Sequence, residues 1–98
     1  VTTYSDERLK KDWKLICARE FVQAISHVKA GTYTRTDTGE RQVGVSAQSL
    51  RVVLPEAVIE DDEGTLSVAY GNAALAVCIA LAREVESLRA RVEELEAR

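Results

Sequence analysis

The last quarter of the chain, residues 74–98, carries apolar residues at the seven-residue spacing of a coiled coil. A small domain buries too little surface to cover such a long stripe, so we expect copies of the chain to associate along it. Position a of the repeat is taken by Cys78, Val85 and Val92, and position d by Ala74, Leu81, Leu88 and Leu95. The alternative is an amphipathic helix that packs on its own domain.

The charges that flank this seam favour a parallel arrangement. In the same register, Glu84 of one chain faces Arg89 of another, and Arg91 faces Glu96, so both pairs are opposite in sign. Valine at a with leucine at d leans towards two strands rather than three. The repeat alone therefore predicts self-association and leaves the number of copies open.

The composition indicates one folded domain. The chain has 98 residues, 46% hydrophobic and 30% charged, which is neither the composition of a disordered segment nor that of a membrane span. The net charge of -3, with signs intermixed, provides no basic footprint for nucleic acid and no cationic face for a lipid surface. We expect neither partner. The sequence contains no methionine, even at position 1, and we expect it to be a piece of a longer polypeptide.

The local patterns predict an α+β fold: a small helix, two β-hairpins and a short helix, followed by a long C-terminal coiled-coil helix. The first helix is expected over residues 12–30 and ends at Gly31. The first hairpin pairs residues 31–36 with 40–45, and the second pairs 58–60 with 65–70; Gly39 and Gly64 lie in their turns. A short helix over residues 47–53 ends before Pro55, and Asn72 is expected to cap the last helix.

Several residues have side chains that could react or bind a metal, but structural roles explain them better. Cys17 and Cys78 lie in apolar helical contexts, which favours reduced core thiols over a disulfide or a metal site. His27 lies off the apolar face and is expected to be solvated, and residues 60–63 form a polar turn without the ligand pattern of a calcium loop. Trp13 is expected to anchor the core. We predict no metal and no cofactor.

Ser5 and Lys10 form the pair with a clear catalytic logic, because a neutral amine can remove the hydroxyl proton and the alkoxide can attack a peptide carbonyl. The lysine must first lose its own proton, which burial or nearby positive charge from Arg8 or Lys11 would favour. Five residues along one helix leave two side chains about 140° apart, so the pair needs a turn, an extended segment or a second chain. Exposed serine and lysine are commonplace, and the alternative is an ordinary solvated surface.

Read in order, the motifs resemble the C-terminal intramolecular chaperone domain of bacteriophage tail spikes and fibres, the endosialidase-type self-cleaving peptidase domain. The motifs that carry the resemblance are residues 5–10 (SDERLK), 31–34 (GTYT), 43–48 (VGVSAQ), 54–58 (LPEAV) and 66–70 (LSVAY), with the terminal heptad helix. The resemblance implies a parallel homotrimer that templates folding of an upstream fibre or spike segment of the same polypeptide and then releases itself.

The resemblance also assigns roles to residues. It makes Ser5 the nucleophile, Lys10 the general base and Ser5-Asp6 the scissile bond. It divides the chain into the end of an upstream segment (residues 1–5), a globular chaperone domain (6–73) and the coiled-coil helix (74–98). Assembly is then expected in the host cytoplasm, with a place on the virion tail if the domain is retained after cleavage.

The sequence departs from the family pattern at three places, and two alternatives stay open. Lys11 and Asp12 stand where an acidic residue and asparagine are common, Ser46 where an apolar residue is usual, and Ala69 where many members carry aspartate. One alternative is a structural trimerisation or receptor-contact tip that keeps the fold without cleavage. Another is the context of a eukaryotic membrane-linked transcription factor, in which a related domain controls release of a DNA-binding portion.

Overall fold

A computed structural model describes residues 2–98; Val1, the first residue of the predicted upstream segment, lies outside the described residues. The fold is α+β, as predicted. Its elements in chain order are a 3₁₀ turn (Glu7–Leu9), α1 (Ala18–Ile25), β1 (Ala30–Thr34), β2 (Arg41–Val45), α2 (Ala47–Val53), a second 3₁₀ turn (Pro55–Ala57), β3 (Val58–Glu60), β4 (Leu66–Val68) and α3 (Tyr70–Glu96).

Both predicted hairpins are confirmed. Strands β1 and β2 pair antiparallel with Thr32 opposite Val43, and β3 pairs antiparallel with β4. Gly39 and Gly64 have φ of 77° and 82°, a left-handed conformation that costs glycine little because it has no Cβ. In the second turn the Asp61 carboxylate accepts hydrogen bonds from two backbone N–H groups, which confirms the polar turn predicted there.

Helix α2 has the predicted bounds, and its ends show why. The Ser46 hydroxyl accepts a hydrogen bond of 3.2 Å from the backbone N–H of Ser49, which caps the first turn. Pro55 begins the 3₁₀ turn that follows, so the helix ends at Val53. Leu50 projects from α2 into the core, where it lies with Ala57 and Ala73.

The first helix is much shorter than predicted, because it begins at Ala18 rather than at residue 12 and ends at Ile25 rather than at residue 30. Asp12 has φ of 56°, which no right-handed helix accommodates. Ala30 already belongs to β1, so Gly31 lies inside a strand and does not end a helix. The predicted core role of Trp13 is also wrong, since its side chain is 60% exposed.

Helix α3 begins two residues before Asn72, so the predicted cap is wrong. Ala69 occupies the N-cap position, and its methyl group offers no acceptor for the free N–H groups of the first turn. The Tyr70 hydroxyl instead fixes this end of the helix by accepting a hydrogen bond of 3.0 Å from the backbone N–H of Val45. Gly44 leaves room for that hydroxyl, because a Cβ at this position would collide with it.

One face of α3 joins the globular part, while the heptad stripe lies elsewhere on the helix. Ala73 and Ala80 are buried, and α1 packs against α3. The side chains of Leu81, Val85, Leu88, Val92 and Leu95 are 43% to 61% exposed, so the stripe does not pack on its own domain. From residue 85 onward every side chain of the helix is exposed. Cys17 and Cys78 are free, but both are exposed, so the expectation of core thiols is wrong.

Candidate active site

The 3₁₀ turn at Glu7–Leu9 brings the two ends of the SDERLK motif together. Asp6 caps this turn: its carboxylate accepts a hydrogen bond of 2.9 Å from the backbone N–H of Arg8. Asp6 and Lys10 themselves have extended backbones on either side of the turn. The chain therefore enters and leaves a tight bend, which is one of the arrangements that the spacing of the pair required.

The Lys10 amine donates a hydrogen bond of 2.7 Å to the Ser5 hydroxyl. This is the distance over which a proton passes between a nucleophile and its base. Both residues are exposed in the single chain, so water surrounds the pair. The geometry of a Ser/Lys pair is thus present in the single chain, on its surface.

Arg8 does not present a free positive charge to the pair, because its guanidinium forms an ion pair of 2.8 Å with Asp6. The side-chain hydrogen bond from Arg8 holds the pKa of Asp6 below its ordinary value, and the same bond raises the pKa of Arg8. Asp6 is therefore ionised at neutral pH, where its carboxylate keeps its role as the cap of the turn.

Trp13 is a member of the site that the sequence pattern missed. The Lys10 amine lies 5.8 Å from the centre of the Trp13 ring, within the range of a cation–π interaction. The left-handed backbone at Asp12 separates the two residues. A shallow groove around the pair is lined by Ser5, Glu7, Lys10, Trp13 and Leu15, none of which belongs to α3. The signal available in the sequence was an aspartate, a residue that tolerates left-handed geometry, between a lysine and an aromatic ring.

The remaining candidates do not form a site in the part of the chain that the structure describes. His27 is exposed, as predicted. Among residues 2–98 there is no group of three histidine, cysteine, aspartate or glutamate side chains that could hold a metal ion. None of the helices in this range combines the length and the apolar character needed to cross a membrane.

Comparison with known proteins identifies the domain around this pair. A family model described as the chaperone of endosialidase, peptidase S74, matches residues 5–59. The match begins at Ser5 and includes Lys10, α1, the first hairpin and α2. The matched range covers more than half of the chain. A comparison with curated proteins finds no match.

Proposed function

This chain belongs to the chaperone of endosialidase family, and from that premise we propose that it is an intramolecular chaperone that assembles as a parallel homotrimer, templates the folding of an upstream fibre segment and then cuts itself free. The upstream segment is a phage tail spike or fibre, and assembly takes place in the host cytoplasm. The observation that supports self-cleavage most directly is the contact of 2.7 Å between the Lys10 amine and the Ser5 hydroxyl.

The cleavage step follows from the chemistry of this pair. A neutral Lys10 amine removes the proton of the Ser5 hydroxyl, and the alkoxide attacks the carbonyl carbon of the Ser5-Asp6 bond. The protonated amine then gives its proton to the departing nitrogen of Asp6, which becomes the new N-terminus. Water hydrolyses the ester that remains on the serine oxygen and restores the hydroxyl.

The position of the scissile bond connects cleavage with assembly. If Ser5 attacked its own carbonyl, Oγ, Cβ, Cα and the carbonyl carbon would close a small, strained ring. The hydroxyl of Ser5 in a neighbouring copy has no such restriction. A cut at Ser5-Asp6 therefore fits attack between chains, whereas attack within one chain on the Tyr4 carbonyl, through a larger ring, would cut before Ser5 instead.

The exposed heptad stripe of α3 supports assembly as the trigger. Its apolar residues are left about half exposed by residues 2–98, and a second and third copy would cover them. Association near the globular parts would also remove water from Ser5 and Lys10, and desolvation favours the neutral form of an amine. The hydroxyl and amine would then become reactive only in the assembled molecule.

A chaperone with this design solves a kinetic problem. Folding three chains into one β-rich fibre requires a loss of loop-closure and association entropy before contacts between residues distant in sequence can stabilise the fibre. A C-terminal domain that trimerises first sets the register of the strands upstream. Removing that domain afterwards separates the fibre from the template that assembled it, so the product is trapped kinetically.

The test is a fusion of a passenger protein to the N-terminus of this chain, followed by a denaturing gel and mass analysis of the products. Ser5→Ala and Lys10→Ala should each leave the fusion uncut and still trimeric, because neither residue lies on the seam. Lys10→Arg should also be inactive, since a guanidinium keeps its proton near neutral pH. Lys14→Ala, which removes an exposed lysine from the same segment, is the matched control and should cut normally.

A mixed assembly tests attack between chains. A tagged Ser5→Ala chain coexpressed with untagged wild-type chain should lose its tag, because the wild-type hydroxyl reaches the bond before Asp6 of its neighbour. The same tagged chain expressed alone should stay intact. An intact tag on the Ser5→Ala chain, together with a cut before Ser5 in the wild-type chains, would show attack within one chain.

Replacing both Val85 and Leu88 with aspartate tests the requirement for assembly. Two charges in the seam should yield monomers, and cleavage should be lost with the trimer. Efficient cutting by the Lys10→Ala protein at the same bond would overturn the Ser5/Lys10 pair. A wild-type fusion that is trimeric and never cut would favour the second candidate function, a structural or receptor-contact tip, which the solvent exposure of Ser5 and Lys10 also favours.

A further inference from the structure

We propose that Trp13 is a positioning residue for the Ser5/Lys10 pair: its indole face holds the lysine amine beside the serine hydroxyl. This inference rests on the proposed self-cleavage. The amine lies between two partners, the Ser5 hydroxyl at 2.7 Å and the Trp13 ring centre at 5.8 Å. A lysine side chain has a long and flexible stem, so a second contact restricts the volume that the amine explores.

The backbone is shaped for this contact. Asp12 adopts φ of 56°, a left-handed conformation that glycine, asparagine and aspartate adopt more readily than other residues. This bend lies between Lys10 and Trp13 and allows the chain to return the indole to the lysine. Trp13 remains 60% exposed, although a buried tryptophan would contribute more to the stability of so small a core. The backbone conformation at Asp12 thus brings Trp13 to Lys10 rather than into the core.

Both charged side chains and the Trp13 ring lie around the Lys10 amine. Glu7 lines the same groove, and Arg8 on that turn is paired with Asp6. The ring attracts the amine most strongly when it is charged, because the cation faces the negative side of the π-system. Removing the ring should therefore leave the amine poorly placed beside the serine hydroxyl.

The experiment measures the cleavage rate of the fusion against pH. Trp13→Ala should lower the plateau at high pH by about ten- to a hundredfold, the loss expected when a reacting group is misplaced. Trp13→Phe should restore most of the lost rate, because its ring can also face the amine, and Trp13→Leu should resemble Trp13→Ala. Lys14→Ala, which trims an exposed side chain next to Trp13 but outside this groove, is the control.

A second readout needs no cleavage. In the uncut Ser5→Ala chain, the ring current of Trp13 should shift the Lys10 Hε resonances upfield, and Trp13→Leu should abolish the shift. Absence of the shift, or restoration of cleavage by leucine as fully as by phenylalanine, would overturn the positioning role. If the wild-type fusion is never cut, self-cleavage fails and the positioning role fails with it. If Trp13→Ala cuts at the wild-type rate, only the positioning role fails.

Discussion

At the scale of single residues, the departures from the family pattern fall where the backbone makes particular demands. Asp12 has a left-handed backbone, a conformation in which asparagine is favoured. Ser46 caps α2 through its hydroxyl. Ala69 is the N-cap of α3, where an aspartate would accept hydrogen bonds from the first turn. An aspartate at this last position would therefore cap α3, a role that needs no contact with the lysine.

The left-handed bend at Asp12 gives a prediction that separates backbone from side chain. Asp12→Asn and Asp12→Gly should keep or improve cleavage, because both residues accept this conformation. Asp12→Val should destabilise the bend by about 1–2 kcal/mol, because a β-branched side chain collides with the backbone there. Cleavage rate and the Lys10 Hε shift are measured together. Full activity of the valine variant with an unchanged shift would show that the bend does not place Trp13.

The cap position of α3 offers a stabilising change. Ala69→Asp should raise the free energy of unfolding by about 1 kcal/mol, because the carboxylate satisfies N–H groups and faces the positive end of the helix dipole. Thermal unfolding measures the gain. Ala90→Asp, the same change at an exposed position in the middle of α3, is the control and should be neutral or slightly destabilising. A gain in cleavage rate without a gain in stability would instead support an orienting role for an acid at this position.

At the scale of secondary-structure elements, the sequence was informative where local chemistry decides the structure. The two hairpins and α2 were predicted because glycine turns and a proline act on their immediate neighbours. The predicted first helix is too long at its N-terminal end, because the apolar spacing of residues 12–17 does not reveal the bend at Asp12. The predicted beginning of α3 is too late: Tyr70 is its first residue, and the hydrogen bond that links Tyr70 to Val45 joins residues too distant in sequence for a local pattern to reveal. The SDERLK motif identifies Ser5 and Lys10 in the sequence. The contact of Trp13 with Lys10 is visible only in the three-dimensional path of the chain.

The turn glycines allow a direct test of the hairpins. Gly39→Ala and Gly64→Ala should each lower the free energy of unfolding by about 1 kcal/mol, since a Cβ disfavours their positive φ. Chemical denaturation measures the loss. Gly31→Ala is the control, because it lies in β1 without a positive φ and an added Cβ there meets no described atom within 4 Å. Equal stability of all three variants would count against the strain assigned to the two turns.

At the scale of the whole molecule, α3 separates two tasks on different faces. One face, with the buried Ala73 and Ala80, attaches the helix to its own globular part, while the heptad stripe stays exposed. Helix α1 packs against α3, and the leucine and valine side chains of the stripe are left for the proposed seam. Since every side chain from residue 85 onward is exposed, copies could associate there without rearranging the core.

Cys78 can report the orientation and the number of copies in one experiment. It lies at position a of the seam and is free, so a parallel, in-register assembly brings the Cys78 thiols of all copies together around one axis. The experiment uses a Cys17→Ser background, which removes the other thiol, and mild oxidation followed by a nonreducing gel. Cys78→Ser in the same background is the control and should give no cross-linked product.

The yield of cross-linked chains then distinguishes two copies from three. One disulfide joins only two of three thiols, so a trimer should stop at about two-thirds of its chains in covalent dimers, whereas a dimer should convert completely. Replacing Val85 and Leu88 with aspartate should abolish the cross-linked product, because the helices no longer associate. Complete conversion would replace the proposed trimer with a two-stranded assembly. Absence of any cross-link in a protein that is oligomeric by sedimentation would mean that the chains do not run parallel along this seam.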